Sequence, residues 1–136
     1  MEAGSELVRG GLRVWGGRPA LVLVATADGV SWLHDVFTAL SRGAGGEARR
    51  LDTEPEVSLD DVVSLEVRVS PFEPAKAVVT DGEGSVSWTC NVTDWATVAS
   101  VLEPFLAGRP GHAYLHHGFG GSDEADVVLS FGESSA

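Results

Sequence analysis

The chain is short of the residues that would staple, anchor or ground it. It has one cysteine, Cys90, so no disulfide can close within it. Isoleucine and glutamine are absent, and a single lysine, Lys76, stands beside eight arginines. Positive charge is scarce: nine Lys and Arg face 20 Asp and Glu, for a net charge of −11. Phosphate neutralisation supplies most nucleic-acid affinity, so this balance argues against nucleic acid as the primary ligand. It argues equally against an anionic membrane surface. No apolar run approaches the ~20 residues of a membrane span. The first 15 residues carry Glu2, Glu6, Arg9 and Arg13 without an uninterrupted apolar stretch, which reads as no signal peptide. With the lone cysteine, the expected compartment is the cytoplasm.

What is present suffices for a folded domain. A chain of 136 residues with 43% hydrophobic side chains can bury a core without staples. We read residues 1–136 as one domain, with 1–10 a loose terminus. The charge is lopsided: residues 1–50 carry six basic and five acidic side chains, residues 51–136 three and fifteen. Such a field favours a basic protein partner. Arg9, Arg13 and Arg18 would screen part of it, which leaves a homodimer as the other expected partner.

The patterns alternate between periods of two and of about 3.6. Leu12 and Val14 alternate with Arg13 and Trp15 as an edge strand closed by Pro19. Ala20–Ala27 is a continuous apolar run suited to a central strand. Asp28 is placed to cap a helix whose stripe is Leu33, Val36, Phe37 and Leu40, stopping near Gly43. Residues 43–61 read as an exposed acidic loop, with a short strand at Glu47–Leu51. Val63, Leu65, Val67 and Val69 alternate with polar residues, a strand with one wet face. Ala75–Thr80 and Ser85–Val92 flank a turn as a hairpin. Thr93 is placed to cap a second helix with the stripe Trp95, Val98, Ala99, Leu102, Phe105 and Leu106. Pro104 inside that stripe predicts a kink or an end near Glu103. Strands at His112–His116 and Ala125–Phe131 close the chain.

This order predicts an α+β fold: a two-layer sandwich of a mainly antiparallel sheet with two helices on one face. The helical stripes match as Leu33, Val36, Phe37, Leu40 on Trp95, Val98, Ala99, Leu102, which suggests a duplicated β-α-β-β unit.

Chemistry-bearing constellations are few. His112, His116 and His117 cluster near Asp123, and a metal centre or catalytic site built on them is the alternative reading. An ion needs three or four ligands at about 2.0–2.3 Å, whereas His112 and His116 on one strand face lie roughly 13 Å apart. Cys90 falls on an apolar strand face, the setting of an inert thiol. Gly43–Gly46 follows a helix and lacks the Gly-Lys-Ser/Thr of a phosphate loop. No catalytic or cofactor-binding residue is assigned. The partner-binding candidates are Asp52, Glu54, Glu56, Asp60, Asp61, Asp123 and Glu124, in acidic loops, with Trp15 beside Arg13 as a contact aromatic.

The stretch Gly111-His112-Ala113-Tyr114-Leu115, followed by Asp123–Ser130, resembles the ends of small actinobacterial proteins, some grouped with immunity proteins of toxin systems. A composition dominated by Ala, Gly, Val, Asp and Glu, with Arg outnumbering Lys, resembles the product of a GC-rich genome. The resemblance implies a binding or regulatory protein without catalysis of its own.

Overall fold

The computed structural model describes residues 7–15, 17–43, 47–70, 77–80, 83–116 and 125–132. The chain opens with a hairpin of β1 (Val8–Trp15) and β2 (Arg18–Ala25). Pro19 does not end a strand: it sits one residue inside β2, opposite Val14. β2 runs straight into α1 (Ala27–Ser41), whose N-cap is Thr26. The Thr26 hydroxyl accepts a hydrogen bond from the Gly29 amide at 3.0 Å. Asp28 therefore does not cap the helix. It lies in the first turn, where its charge meets the positive end of the helix dipole. The tight entry depends on Gly29, where a side chain would collide with the Leu7 carbonyl.

After α1 come β3 (Ala48–Arg50), β4 (Val57–Asp60) and β5 (Ser64–Val69). The segment expected as an exposed loop thus contains, besides the short strand foreseen at Glu47–Leu51, a second strand, β4, and Leu51 between them is buried. Val57 and Leu59 alternate as a strand should, but the surrounding acids hide the short pattern. β5 has the expected alternation, with Leu65, Val67 and Val69 inward. β6 (Ala77–Thr80) and β7 (Ser85–Cys90) form the predicted hairpin. α2 (Val92–Val101) follows, capped by Asn91, whose side chain accepts from the Asp94 amide at 2.8 Å. Thr93 is inside the helix and is not its cap. Pro104 ends the helical run as its chemistry requires: a separate turn, α3 (Glu103–Leu106), carries the proline at its start. β8 (Gly111–His116) and β9 (Asp126–Phe131) complete the chain.

The fold is α+β. Its strands are divided between two mixed sheets, where the sequence reading expected one mainly antiparallel sheet. The five-stranded sheet has the order β4-β1-β2-β9-β8, the four-stranded sheet β3-β5-β7-β6. Parallel pairs, β2 with β9 and β7 with β5, join the antiparallel pairs within each sheet. β1 is not an edge strand, because β4 pairs with it in parallel. β2 is the central strand of its sheet, as its apolar run predicts.

The duplication is real in topology, with a different unit from the expected one. Each half is a hairpin, a helix and a second antiparallel pair: β1-β2-α1-β3-β5, with β4 inserted between β3 and β5, and β6-β7-α2-β8-β9, with α3 inserted after α2. In both halves the hairpin pairs with the second antiparallel pair of the other half. Ala20–Ala25 lies against Asp126–Phe131, and Ser85–Cys90 against Ser64–Val69, with six rungs in each pair. The two caps share one backbone geometry, φ/ψ −78°/174° at Thr26 and −77°/174° at Asn91. Superposing these caps sets Val30, Leu33 and Phe37 over Trp95, Val98 and Leu102. The helical match read from the stripes alone is therefore out of step by one turn.

Both sheets and all three helices feed one hydrophobic cluster. At its centre Phe37 of α1 stacks on Trp95 of α2 at 5.6 Å, and Trp88 of β7 meets both rings at 4.9–5.4 Å. Each such pair adds about 0.5–1.5 kcal/mol beyond the area it buries.

Candidate interaction surface

The acids expected to face a partner fall into two groups. Asp52 and Glu54 are engaged within the fold. Arg50 donates two hydrogen bonds to Asp52 at 2.6 and 2.7 Å, and the Leu65 amide donates a third at 2.9 Å. The Arg50 bonds hold the Asp52 carboxyl below the usual carboxylate range, the Leu65 bond adds to this, and burial opposes it. The same pairing raises the Arg50 guanidinium above its ordinary value. Glu54 accepts from Arg49 at 3.0 Å, and that guanidinium also lies 5.8 Å from the Trp32 ring. Glu56 is half-buried, and its backbone carbonyl accepts from the Leu7 and Val8 amides. These three residues close the β3–β4 connection onto the body of the protein.

Asp60 and Asp61 differ. Their side chains are 78% and 79% exposed, and both lie near one cation, Arg13, at 3.4 and 3.8 Å. Asp61 takes a left-handed backbone, φ 59°, which turns the chain sharply from β4 towards β5. The Val63 amide then donates to the Gly84 carbonyl at 2.7 Å. That bond brings the β4–β5 turn against the β6–β7 turn, where Glu83 is exposed. Val63, 71% exposed, stands between the two. The result is an acidic end on which the turns carrying exposed Asp60, Asp61 and Glu83 meet beside an exposed apolar side chain. Sequence reading found Asp60 and Asp61 but did not place Arg13 or Glu83 near them, because both are distant in the chain and no local signal links β1, or a turn of the other half, to the β4–β5 turn.

Among the remaining candidates, the backbone of Trp15 ends β1 opposite Arg18. Its side chain, His117, Asp123 and Glu124 lie outside the described residues. His112 is exposed on β8 opposite Ser130, while His116 is buried opposite Val127, beyond a bulge at the strand's end. Three residues of strand lie between them. Among the described residues no three His, Cys, Asp or Glu side chains come together as ion ligands. Cys90 is buried at the end of β7.

The wet face of the four-stranded sheet holds an open trough of about 340 Å³, lined by Arg50, Ser64, Glu66, Val79, Ser85 and Ser87 among others. Small serines on the two central strands create it, between the longer side chains of β3 and β5 and Val79 of β6. Its described lining has serines but no histidine or lysine, the bases that commonly turn a serine hydroxyl into a nucleophile. Among the described residues no helix is long and apolar enough to cross a membrane. No family model, curated protein or solved structure matches the chain.

Proposed function

We propose that the protein is a non-enzymatic interaction domain, immunity-type or regulatory, that binds a basic protein partner in the cytoplasm without a cofactor. The observation that carries this reading is the acidic end, where the turns carrying exposed Asp60, Asp61 and Glu83 meet beside exposed Val63. The net charge of −11 adds a long-range field that draws a cation-rich surface towards it. A central apolar contact with a charged surround is how protein interfaces divide affinity from steering. The contact surface is narrower than the full set of acidic loop residues, since Asp52 and Glu54 spend their charge on Arg50 and Arg49.

The test is a pull-down from cells that encode the protein, at low and high salt. The wild type is compared with the triple variant Asp60→Asn, Asp61→Asn, Glu83→Gln. We expect a basic partner retained by the wild type at low salt, released as salt rises, and retained several-fold less by the variant. Retention indifferent to both salt and variant would overturn the acidic-end reading.

A further inference from the structure

We infer that the binding surface continues from the acidic end into the serine trough, and that the partner enters it as an extended segment. That segment is cationic where it meets the acids, and small and uncharged behind. The inference rests on the acidic-end reading and adds the kind of segment that fits there. Its basis is the register of the four-stranded sheet. Ser64 and Ser85 are paired at the head of β5 and β7, and they follow Val63 and Gly84 directly. The trough they line therefore begins where the acidic turns meet. Two residues further along, one row crosses all four strands: Arg50, Glu66, Ser87 and Val79. Arg50 and Glu66 stand on one side of the serine floor, and Val79, 41% exposed, stands on the other.

The charged side is matched within the fold. Arg50 holds Asp52 at 2.6 Å, and Arg68 holds Glu66 at 2.7 Å. The trough thus offers hydrogen bonds with little net charge, while unmatched negative charge sits at its mouth. A hydroxyl both donates and accepts, so a serine floor suits the amides and carbonyls of an extended main chain. Small residues let that chain approach the floor. An α-helix suits it less, because a helix is about 10 Å across and docks through several apolar anchors. Among the described lining residues only Val79 is an exposed apolar side chain. The volume of about 340 Å³ is small for a binding pocket, which limits the occupant to a few residues of chain.

The test titrates the isotope-labelled protein at low salt with three probes and follows its backbone amide signals by NMR. The probes are the capped peptide Arg-Arg-Gly-Ser-Gly-Ser, the same peptide with Glu in place of Arg, and arginine amide. We expect the arginine peptide to shift Asp61, Val63 and Glu83 together with Ser64, Glu66, Ser85 and Ser87. Arginine amide should shift the first set alone, and the Glu peptide neither. Ser87→Tyr fills the trough from a solvent-facing position. It should weaken the arginine peptide several-fold and leave arginine amide unchanged. Shifts by the arginine peptide confined to the acidic end, or equal peptide affinity in folded Ser87→Tyr, would overturn the trough inference and leave the acidic-end reading standing. Shifts at neither set, or equal shifts with the Glu peptide, would overturn both.

Discussion

Asp52 shows what a single carboxylate does in a chain with so many. Its side chain is 12% exposed, and it ties the end of β3 to the start of β5 through Arg50 and the Leu65 amide. Because its native pKa is depressed, the unfolded chain holds the proton more readily. Its contribution to stability is therefore full above the ordinary carboxylate value, about pH 4, and is lost as pH falls through the lower native value. We expect Asp52→Ala to lower the unfolding free energy at neutral pH by about 1–3 kcal/mol, the worth of hydrogen bonds to a charged group. The gap to wild type narrows as pH drops below about 4. Urea unfolding at both pH values checks this, and an equal loss at both would show that the charge is not the cause. Two tryptophans make the same point for the core. The Trp95 indole donates to the Arg68 carbonyl at 3.0 Å, whereas the Trp88 indole nitrogen, fully buried, has no hydrogen-bond partner among the described residues. Trp88 is held by shape and ring contacts alone, and its unmet donor is a cost that the aromatic cluster offsets.

The elements were legible where they are long and strongly periodic. β2, α1, β5, β7 and α2 follow from apolar runs, stripes and alternation, and Pro104 breaks the second helix where its missing amide requires. Their starts were less legible. Asp28 and Thr93 are good capping residues by type, but Thr26 and Asn91 are the first residues after a strand end, and the chain enters each helix directly from the sheet. Which cap acts is set by where the preceding strand stops, and pairing with distant strands decides that. We expect Thr26→Ala and Asn91→Ala each to cost about 1 kcal/mol. Asp28→Ala and Thr93→Ala should cost only a few tenths, as first-turn substitutions do. Thermal or urea unfolding of the four variants separates the two sets. β4 was missed for a similar reason: four residues between acids acquire a strand's character only because β1 lies alongside.

At the scale of the molecule, the governing facts are charge and the pairing of strands across the two halves. With 20 acidic against nine basic side chains, repulsion within the fold exceeds attraction. Screening should therefore stabilise the protein even though it weakens Arg13–Asp60 and similar exposed pairs. We expect the Tm to rise by a few degrees from low to moderate salt, the shift that about 1 kcal/mol produces in a domain of this size. A Tm that falls with salt would mean that the ion pairs outweigh the repulsion. Of Arg9, Arg13 and Arg18, expected to screen acid, Arg13 lies beside Asp60 and Asp61, and Arg49 and Arg50 screen acids that the sequence reading did not assign to them. Arg49 and Arg50 take Glu54 and Asp52 out of the surface field, while Arg13 is shared by two aspartates and leaves an acidic end exposed.

By itself the sequence determined the α+β class, the two helices, the wet and dry faces of β5 and β7, and the excess of negative charge. These properties are local or additive: periodicity, proline chemistry and a count of charged groups. Only the tertiary structure decided that the strands form two sheets, that each sheet takes one antiparallel pair from each half, and that the turns carrying Asp60, Asp61 and Glu83 meet beside Val63. Those outcomes depend on pairings between residues far apart in the chain. A strand's side-chain pattern shows which face is buried but not which partner supplies its hydrogen bonds.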